Sequence, residues 1–309
     1  MEIIKSLDKI KDITHSAITI GNFDGVHKGH QVLINKTVKA AEENGIKSVV
    51  FTFENHPVNF FKPGTVKNII SNEDKLEVFE SMGVDVAVIV PFDQYMTTVD
   101  PTTFVEDILV DKLHTKFIII GHDFSFAKEK MGNSKFLQSV QNKYKFDVEI
   151  VEPVMIRDKR ISSTFIRGLV SSGRVDEIKE YLGRNYKMSG EVIHSKKLGR
   201  TIGFPTANIR FDKAMLSPKI GIYASKVKIE DELYFGATNV GFNPTVNGQS
   251  LSIESNIINF DKEIYGKIIE VEFLEKIRDE IKFDDLDGLK KQLTKDVDYV
   301  KRNYVCKIK

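Results

Sequence analysis

The sequence predicts an α/β domain built on a parallel sheet, followed by a small antiparallel β-barrel with a closing helix. Three observations carry this expectation. Apolar runs alternate with helical patterns through residues 1–182, short β-type runs broken by Gly, Pro and Asn replace them afterwards, and 309 residues exceed what a single core usually organises.

Ala17, Ile18 and Ile20 make the first buried run, which Gly21 and Gly25 end with the backbone freedom that a tight turn and a close-lying ligand need. Leu33, Ile34, Thr37, Val38 and Ala41 then share one helical face, so an amphipathic helix begins near Gly29. Ser48–Phe53, Val84–Val90, Phe117–Gly121 and Val148–Val151 read as strands with helices between them, the βαβ rhythm of a parallel sheet. Such sheets place ligands at the carboxyl ends of their strands, where GNFDG (21–25), TFENHP (52–57) and GHDFSF (121–126) fall. The segment GRNY (183–186) interrupts the periodicity and sets the expected boundary, with one domain over 1–184 and the other over 185–309. From Ser189 to Val271 the runs EVI, NIRF, IYASKVKI, YFGATNV, IESNIINF and IIEVEF have the spacing of a small barrel. Leu286, Leu289, Leu293, Val297 and Val300 fall on one stripe of a final helix that should pack on it.

Charge narrows the function classes. Lys and Arg number 45 against 44 Asp and Glu, a net +1, so the chain lacks the electrostatic footprint of a nucleic-acid binder and small-molecule partners are expected. The single cysteine, Cys306, cannot form an intramolecular disulfide and fits a reducing compartment. The N-terminus is mixed in charge and no run approaches a membrane span, so a cytoplasmic protein without a membrane partner is expected, as a monomer or weak homo-oligomer.

The chemistry concentrates in three strings. In GNFDGVHKGH, His27 and His30 lie one turn apart beside a helix N-terminus, where unpaired N–H groups and the dipole attract anions and imidazoles add donors to a reacting phosphate. In RISSTFIR, Ser163 and Thr164 sit at a helix start between Arg160 and Arg167, whose guanidinium groups make paired bonds to phosphate oxygens. In GRTIGFPTAN (199–208), Pro205 and Gly203 shape a stiff loop that presents Thr206 and Asn208 in one direction, two neutral oxygens able to hold a Mg-nucleotide.

GxFDGxHxGH and ISSTxxR resemble the signature of HxGH nucleotidyltransferases, which implies a Rossmann-like first domain. PTAN after GRxxGF, with TFENHP, GHDFSF, GIYA (221–224), NVGFNPT (239–245) and YGKIIEVEFLEKIRDEIKF (265–283), extends the resemblance over nearly the whole chain to the bacterial bifunctional riboflavin kinase/FAD synthetases. The resemblance implies that the second domain phosphorylates the ribityl 5′-hydroxyl of riboflavin and that the first adenylylates the resulting FMN to FAD, with ATP as co-substrate and Mg²⁺ as cofactor. It implies a nucleotide site at Gly21, Asn22, Phe23, Asp24, His27 and His30. Ser163, Thr164 and Arg167 would hold the β- and γ-phosphates with Arg160 nearby, and Asp123 would help organise Mg²⁺. For the kinase it implies Gly199, Arg200, Gly203, Pro205, Thr206, Asn208, Tyr223 and Asn239, with Glu254 as general base, Thr206 and Asn208 on the metal, and Arg278 and Glu280 on a mobile flap where Arg278 stabilises the transferring phosphate. Phe60, Phe61, Phe124 and Phe126 are candidate walls for an isoalloxazine ring. Ala127 and Ser195 stand where the family commonly has glycine, and Asn55 replaces a proline; Ser195 is the departure expected to crowd the kinase phosphate loop. An adenylyltransferase with a silent flavin-binding or regulatory barrel is the alternative reading.

Overall fold

In a computed structural model, the described residues are all those of the chain except 12, 195–202, 246–247 and 307–309, and for 243–245 and 248–250 only the backbone is described. The chain divides into two units, Met1–Ser163 and Thr164–Lys309.

The first unit is organised by six strands, β1 (Glu2–Ile4), β2 (Ser16–Ile20), β3 (Lys47–Phe53), β4 (Val86–Val90), β5 (Thr115–Gly121) and β8 (Asp147–Val151), in the spatial order β1-β4-β3-β2-β5-β8. Every neighbouring pair is parallel. Parallel strands need both faces covered, and the alternation of side chains shows how this is achieved. Ile18 and Ile20 of β2, Val49 and Phe51 of β3, Val86, Val88 and Val90 of β4, and Ile118 and Ile120 of β5 enter one core. That core is closed by Phe104, Val105, Ile108 and Leu109 of a π-type stretch, Phe104–Lys112. Val50 and Ala87 face the other way, with Phe79 and with Ile34 of helix α1 (Lys28–Asn44), while Ala17 and Ile119 pack with Ala41 of the same helix. Strand β1 was not foreseen. It is three residues long, buries only Ile4, and lies at the sheet edge beside β4, so it carries too little pattern to be read.

Two small ribbons decorate the carboxyl edge, β6 (Ser125–Phe126) with β7 (Gly132–Asn133), and β9 (Met155–Ile156) with β10 (Lys159–Arg160). Between β6 and β7 the backbone turns through Ala127 at φ 62°, ψ −172°. Glycine adopts that region freely and an L side chain does not, which accounts for the glycine expected there.

The second unit opens with the helices Ser163–Ser172, which starts at the boundary, and Ile178–Leu182. The expected boundary grouped these helices with the sheet, whereas the units divide after Ser163. Phe165 stands edge-on to Tyr181 at 4.9 Å, and the backbone N–H of Lys219 donates to Val170 O at 3.2 Å, tying the helices to the barrel. The barrel itself is closed and antiparallel, ordered β11-β12-β15-β14-β13-β16, with β11 Tyr186–Ile193, β12 Ala207–Phe211, β13 Gly221–Ile229, β14 Glu232–Thr245, β15 Gly248–Ile257 and β16 Ile268–Arg278. Tyr186, Met188 and Val192, then Ile269, Val271 and Phe273, alternate inward in the manner of a filled small barrel. At Gly190 a Cβ would lie 2.4 Å from Arg210 O, so glycine permits the close approach of β11 and β12. The C-terminal helix Leu286–Val300 buries Val297 and Val300 against Ala224 and Ala237. Its stripe packs only in its later part, because Leu286 is 56% exposed.

Ala127→Gly is expected to stabilise the chain by about 1 kcal/mol, as the released strain exceeds the extra entropy of the unfolded glycine. Chemical denaturation of the two proteins with an unchanged m-value checks it, and a destabilised glycine variant would refute the strain.

Candidate active sites

In the first unit β2 stops at Ile20, and the chain makes a tight loop in which Phe23 (φ 47°), Gly25 (φ 84°) and Val26 (φ 38°) all adopt positive φ. The N–H of Val26 donates to Phe23 O at 3.0 Å. Phe23 and Val26 are fully buried under the loop. Asp24 fastens it from below, its Oδ1 accepting from the N–H groups of Ile69 at 2.8 Å and Ile70 at 3.3 Å, while its carbonyl accepts from Ser163 Oγ at 2.9 Å. The loop thus delivers His27 as the N-cap of α1, where Nδ1 accepts from the N–H of His30 at 3.2 Å. The two imidazoles stack with centroids 3.6 Å apart, and Phe23 meets His30 edge-on at 5.1 Å. Gly29 is required for this stack, since a Cβ there would lie 3.1 Å from two atoms of the His27 ring.

A cavity of about 210 Å³ opens in front of the stack, lined by His27, Gly29 and His30, by Gly121, His122 and Asp123 after β5, by residues 151–154 at the end of β8, and by Arg160, Ile161, Ser162 and Ser163. It lies where the strand order reverses between β2 and β5, the place at which open parallel sheets bind ligands. Arg160 is ion-paired with Asp123 across this cavity, both side chains being substantially exposed. Ser163 is the first residue of its helix, and Thr164 and Arg167 continue that helix as members of the second unit.

Of the residues expected at the nucleotide, His27, His30, Asp123, Arg160 and Ser163 come together in this cavity. Gly21, Phe23 and Asp24 do not line it; they build the loop. Asn22 and Asp24 instead border a separate small cavity with Asn55, His56 and Lys75. Lys75 is the residue that sequence reasoning missed. It is only 5% exposed, donates from Nζ to Phe53 O at 3.2 Å, and burial lowers its pKa to about 8 despite the opposing influence of Asp24. Its position beside Leu76 on the inward face of the helix Asn72–Ser81 is a signal that could have found it. His30 is also held well below the usual histidine range, first by burial and then by the neighbouring His27 imidazole and the Lys75 ammonium, and its Nδ1 is buried without a hydrogen-bond partner.

The aromatic candidates separate into two groups. Phe60 and Phe61 are exposed and meet Phe92 and each other edge-on, forming an accessible cluster beyond the end of β4. Phe126 is core, packed on Phe104 and Phe136, with Phe124 stacked on it.

In the barrel, strand register aligns the kinase candidates. Asn208 of β12 is opposite Glu254 of β15, Glu254 is opposite Asn239 of β14, and the row continues through Ile222 of β13 to Arg278 of β16. Ile253 and Ser255 on either side of Glu254 are buried in the barrel, so Asn208, Glu254 and Asn239 share its outer face. The Oδ1 of Asn239 is buried without a hydrogen-bond partner, and a Cβ at Gly241 would lie 3.1 Å from Glu280 Oε1 and 3.2 Å from Asn239 Nδ2, so Glu280 and Asn239 both lie against Gly241. Beside it lies a cavity of about 310 Å³ lined by Val192, Ile193, Pro205, Thr206, Ala207, Asn208, Ser255, Ile257 and residues 260–265. Pro205 O accepts from Asn256 Nδ2 at 2.8 Å, which pins the PTAN segment to β15, and Gly203 just before it has φ 86°. Residues 261–264 were not singled out in the sequence because no local pattern marks them, and Tyr265, which opens the YGKIIEVEF string, stacks on His194 with ring centroids 3.8 Å apart.

Two of the expected site residues are built into the barrel framework. Tyr223 is fully buried, edge-on to Phe273 at 5.4 Å, and donates its hydroxyl to Lys219 O. Arg278 is not on a flap. It ends β16 and makes a paired bond to the buried carboxylate of Asp296, with Nε–Oδ1 at 3.0 Å and Nη2–Oδ2 at 2.6 Å, because a carboxylate 2% exposed requires a cationic partner. Gly199, Arg200 and Ser195 lie outside the described residues.

A stacked histidine pair on a helix N-terminus, set at a parallel-sheet crossover, together with an independent polar row beside a barrel cavity, defines a nucleotide-dependent transferase with two phosphate-handling sites. Residues 9–165 match the FAD synthetase family and residues 182–304 the riboflavin kinase family. The chain is 38% identical over 304 residues to a bifunctional riboflavin kinase/FMN adenylyltransferase of Haemophilus influenzae, covering 97% of this chain and 98% of that one. It is 38% identical over 294 residues to the protein of the same description from Listeria monocytogenes, covering 94% and 92%. A crystal structure described as a macrolide-efflux protein from Streptococcus pneumoniae is similar at a TM-score of 0.89 and 32% identity over 98% of both chains. The chain belongs to the bifunctional riboflavin kinase/FMN adenylyltransferase family. Among the described residues no helix is long and apolar enough to cross a membrane.

Asp296→Ala is expected to destabilise the barrel unit by about 3 kcal/mol by leaving the half-buried Arg278 without its carboxylate, whereas the double variant Arg278→Met/Asp296→Leu should recover much of that loss. Thermal denaturation of the three proteins decides it. Lys75 generates a second expectation. With its pKa near 8 in the native state and about 10.4 when unfolded, the native state binds fewer protons than the unfolded state between those values, so its contribution to stability rises as pH climbs from 8 toward 10.4. Urea midpoints of the wild type and Lys75→Met should therefore diverge in slope over that window, with the wild type gaining, and parallel curves would contradict the buried charge.

Proposed function

We infer that this chain phosphorylates riboflavin to FMN with one ATP and adenylylates FMN to FAD with a second, releasing pyrophosphate. The observation that carries the reading is the presence, on one chain of this family, of two separately built sites, one in each unit.

In the barrel, the 5′-hydroxyl of the ribityl chain attacks the γ-phosphorus of ATP and ADP leaves. Glu254, central in the row Asn208–Glu254–Asn239, takes the hydroxyl proton, and Asn239 offers its unpartnered Oδ1 to a donor on the substrate. The cavity beside Pro205, Thr206 and Asn208 suits the nucleotide. Among the described residues no group of three or more His, Cys, Asp and Glu could hold a metal ion, which fits a cation that arrives with the nucleotide phosphates and takes neutral oxygens from the protein. Thr206 and Asn208 would hold Mg²⁺ there and Asp123 would help to hold it in the first unit, where it would supply charge neutralisation of the phosphates.

In the first unit the phosphate of FMN attacks the α-phosphorus of ATP, forming the P–O–P bond of FAD and breaking the bond to pyrophosphate. The nucleophile is already an anion, so the protein's work is positioning and charge stabilisation. His27 and His30 would face the phosphates from the N-terminus of α1, and Ser163 and Arg160 border the same cavity. The exposed pair Phe60 and Phe61 is the better candidate for the isoalloxazine ring, since Phe126 is committed to the core. Arg278, held by Asp296, supports the barrel. Both reactions use small soluble substrates, in keeping with a cytoplasmic enzyme.

His30→Ala should abolish FAD formation and leave FMN formation intact, and Glu254→Ala should abolish FMN formation while FAD still forms from supplied FMN. Chromatography of flavins after incubation with ATP and Mg²⁺ reads both. A folded variant that loses both activities would break the division of labour. Chelation of divalent cations should stop both conversions, and restoring Mg²⁺ should return them.

A further inference from the structure

We propose that His122 is a phosphate-binding residue of the first unit, an imidazole whose Nε2–H donates to the phosphate chain of ATP on the side that leaves as pyrophosphate. The proposal rests on the assignment of adenylyl transfer to the cavity in front of His27 and His30.

Strand β5 delivers this side chain. Its ladder with β8 pairs Gly121 with Val151 and runs one step further, the N–H of His122 donating to Val151 O at 3.1 Å. The N–H of Phe124 then donates to Gly121 O at 3.1 Å, which closes a β-turn with His122 and Asp123 at its centre. Because β2 and β5 are neighbours, this turn stands beside the loop that carries His27, and His122 lines the same cavity as His27 and His30. A turn pinned by its own backbone at the end of a paired strand offers its side chains from a fixed support.

The neighbours of the ring leave it available. Asp123 Oδ2 is taken by Arg160 Nη2, and Asp123 Oδ1 lies 3.9 Å from His122 Nδ1, too far for a hydrogen bond. Nδ1 is the nitrogen nearer that carboxylate, so Nε2 lies at the far end of the ring. Other donors bordering the cavity are already committed. Ser163 Oγ donates to Asp24 O at 2.9 Å, and one nitrogen of Arg160 is held by Asp123. An anion entering the cavity also meets the carboxylates of Asp123 and Glu152. A phosphate chain therefore gains most from a donor that no protein acceptor holds, and the His122 side chain, 31% exposed at the cavity, supplies one. It sits beside the carboxylate paired with Arg160, which puts it at the end of the chain that Arg160 serves, the β- and γ-phosphates.

The experiment uses the full chain, whose FMN formation from riboflavin is the internal control. In His122→Ala the KM for ATP in FAD formation from FMN should rise about 10-fold, the loss of one hydrogen bond to a charged group, while kcat changes less than about 3-fold. Inhibition of the same reaction by added pyrophosphate should weaken by a similar factor, and FMN formation should be unchanged. His122→Gln, which keeps an N–H near the place of Nε2, should return both quantities to within about 3-fold of wild type. Unchanged KM and pyrophosphate inhibition in His122→Ala overturn the proposal, and so does a glutamine variant no better than alanine, which would make the ring a support for the turn. If His122→Ala fails to fold, the NMR resonances of the His122 ring in the wild-type chain decide: pyrophosphate with Mg²⁺ should shift them, and unmoved resonances overturn the proposal. The site assignment fails separately, if His30→Ala retains FAD formation.

Discussion

Parallelism is the constraint from which the first unit follows. When β2, β3, β4, β5 and β8 run in the same direction, all of their carboxyl ends arrive at one edge, and every connecting loop that leaves a strand begins there. The order β1-β4-β3-β2-β5-β8 then places the crossover between β2 and β5, so the loop after β2 and the GHD segment after β5 are neighbours before any side chain is considered. Side chains refine what topology has already assembled. Asp24 is the clearest instance, a carboxylate whose work is to hold the backbone of residues 69 and 70 under a loop that three positive φ angles make compact.

The barrel solves a different problem with a different tool. Antiparallel register, not strand direction, brings Asn208, Glu254 and Asn239 side by side, because residues directly opposite on neighbouring strands point to the same face. The interior is occupied by its own network, in which Ser225 Oγ donates to Gly236 O at 3.0 Å and Thr238 Oγ1 bonds to Ser255 Oγ at 2.9 Å. These hydroxyls are fully buried and satisfy one another. The outer row is thereby separated from the packing that supports it by a single wall of strands.

The legibility of the sequence tracks the range over which each feature is determined. Strands β2 to β5 and β8, helix α1 and the six barrel strands were legible because burial on a fixed period leaves its mark within ten residues. His27 and His30 were legible for the same reason, being one turn apart on an element whose start could be located. The surroundings of Arg278 and Tyr223 were not legible because each packs against a side chain outside its own segment, Asp296 in one case and Phe273 in the other. Lys75 escaped because a lysine on a short helix is ordinarily solvated, and only the loop around Asp24, fifty residues earlier in sequence and adjacent in space, makes it unusual. Ala127 sits between these cases: its departure from glycine was visible, but the backbone angle that gives the departure its meaning was not.

On the reading proposed for the first cavity, the ion pair between Arg160 and Asp123 would bear on turnover. A guanidinium already bridged to a carboxylate does not wait as a bare positive hole, and a polyphosphate arriving there would replace one anion with another. Such an exchange recovers less free energy than filling an unpaired cationic site, so it would moderate affinity for nucleotide. The same exchange would run backwards on release, with Asp123 at hand to reclaim Arg160, so that a built-in counter-ion would trade tight grip for ease of departure.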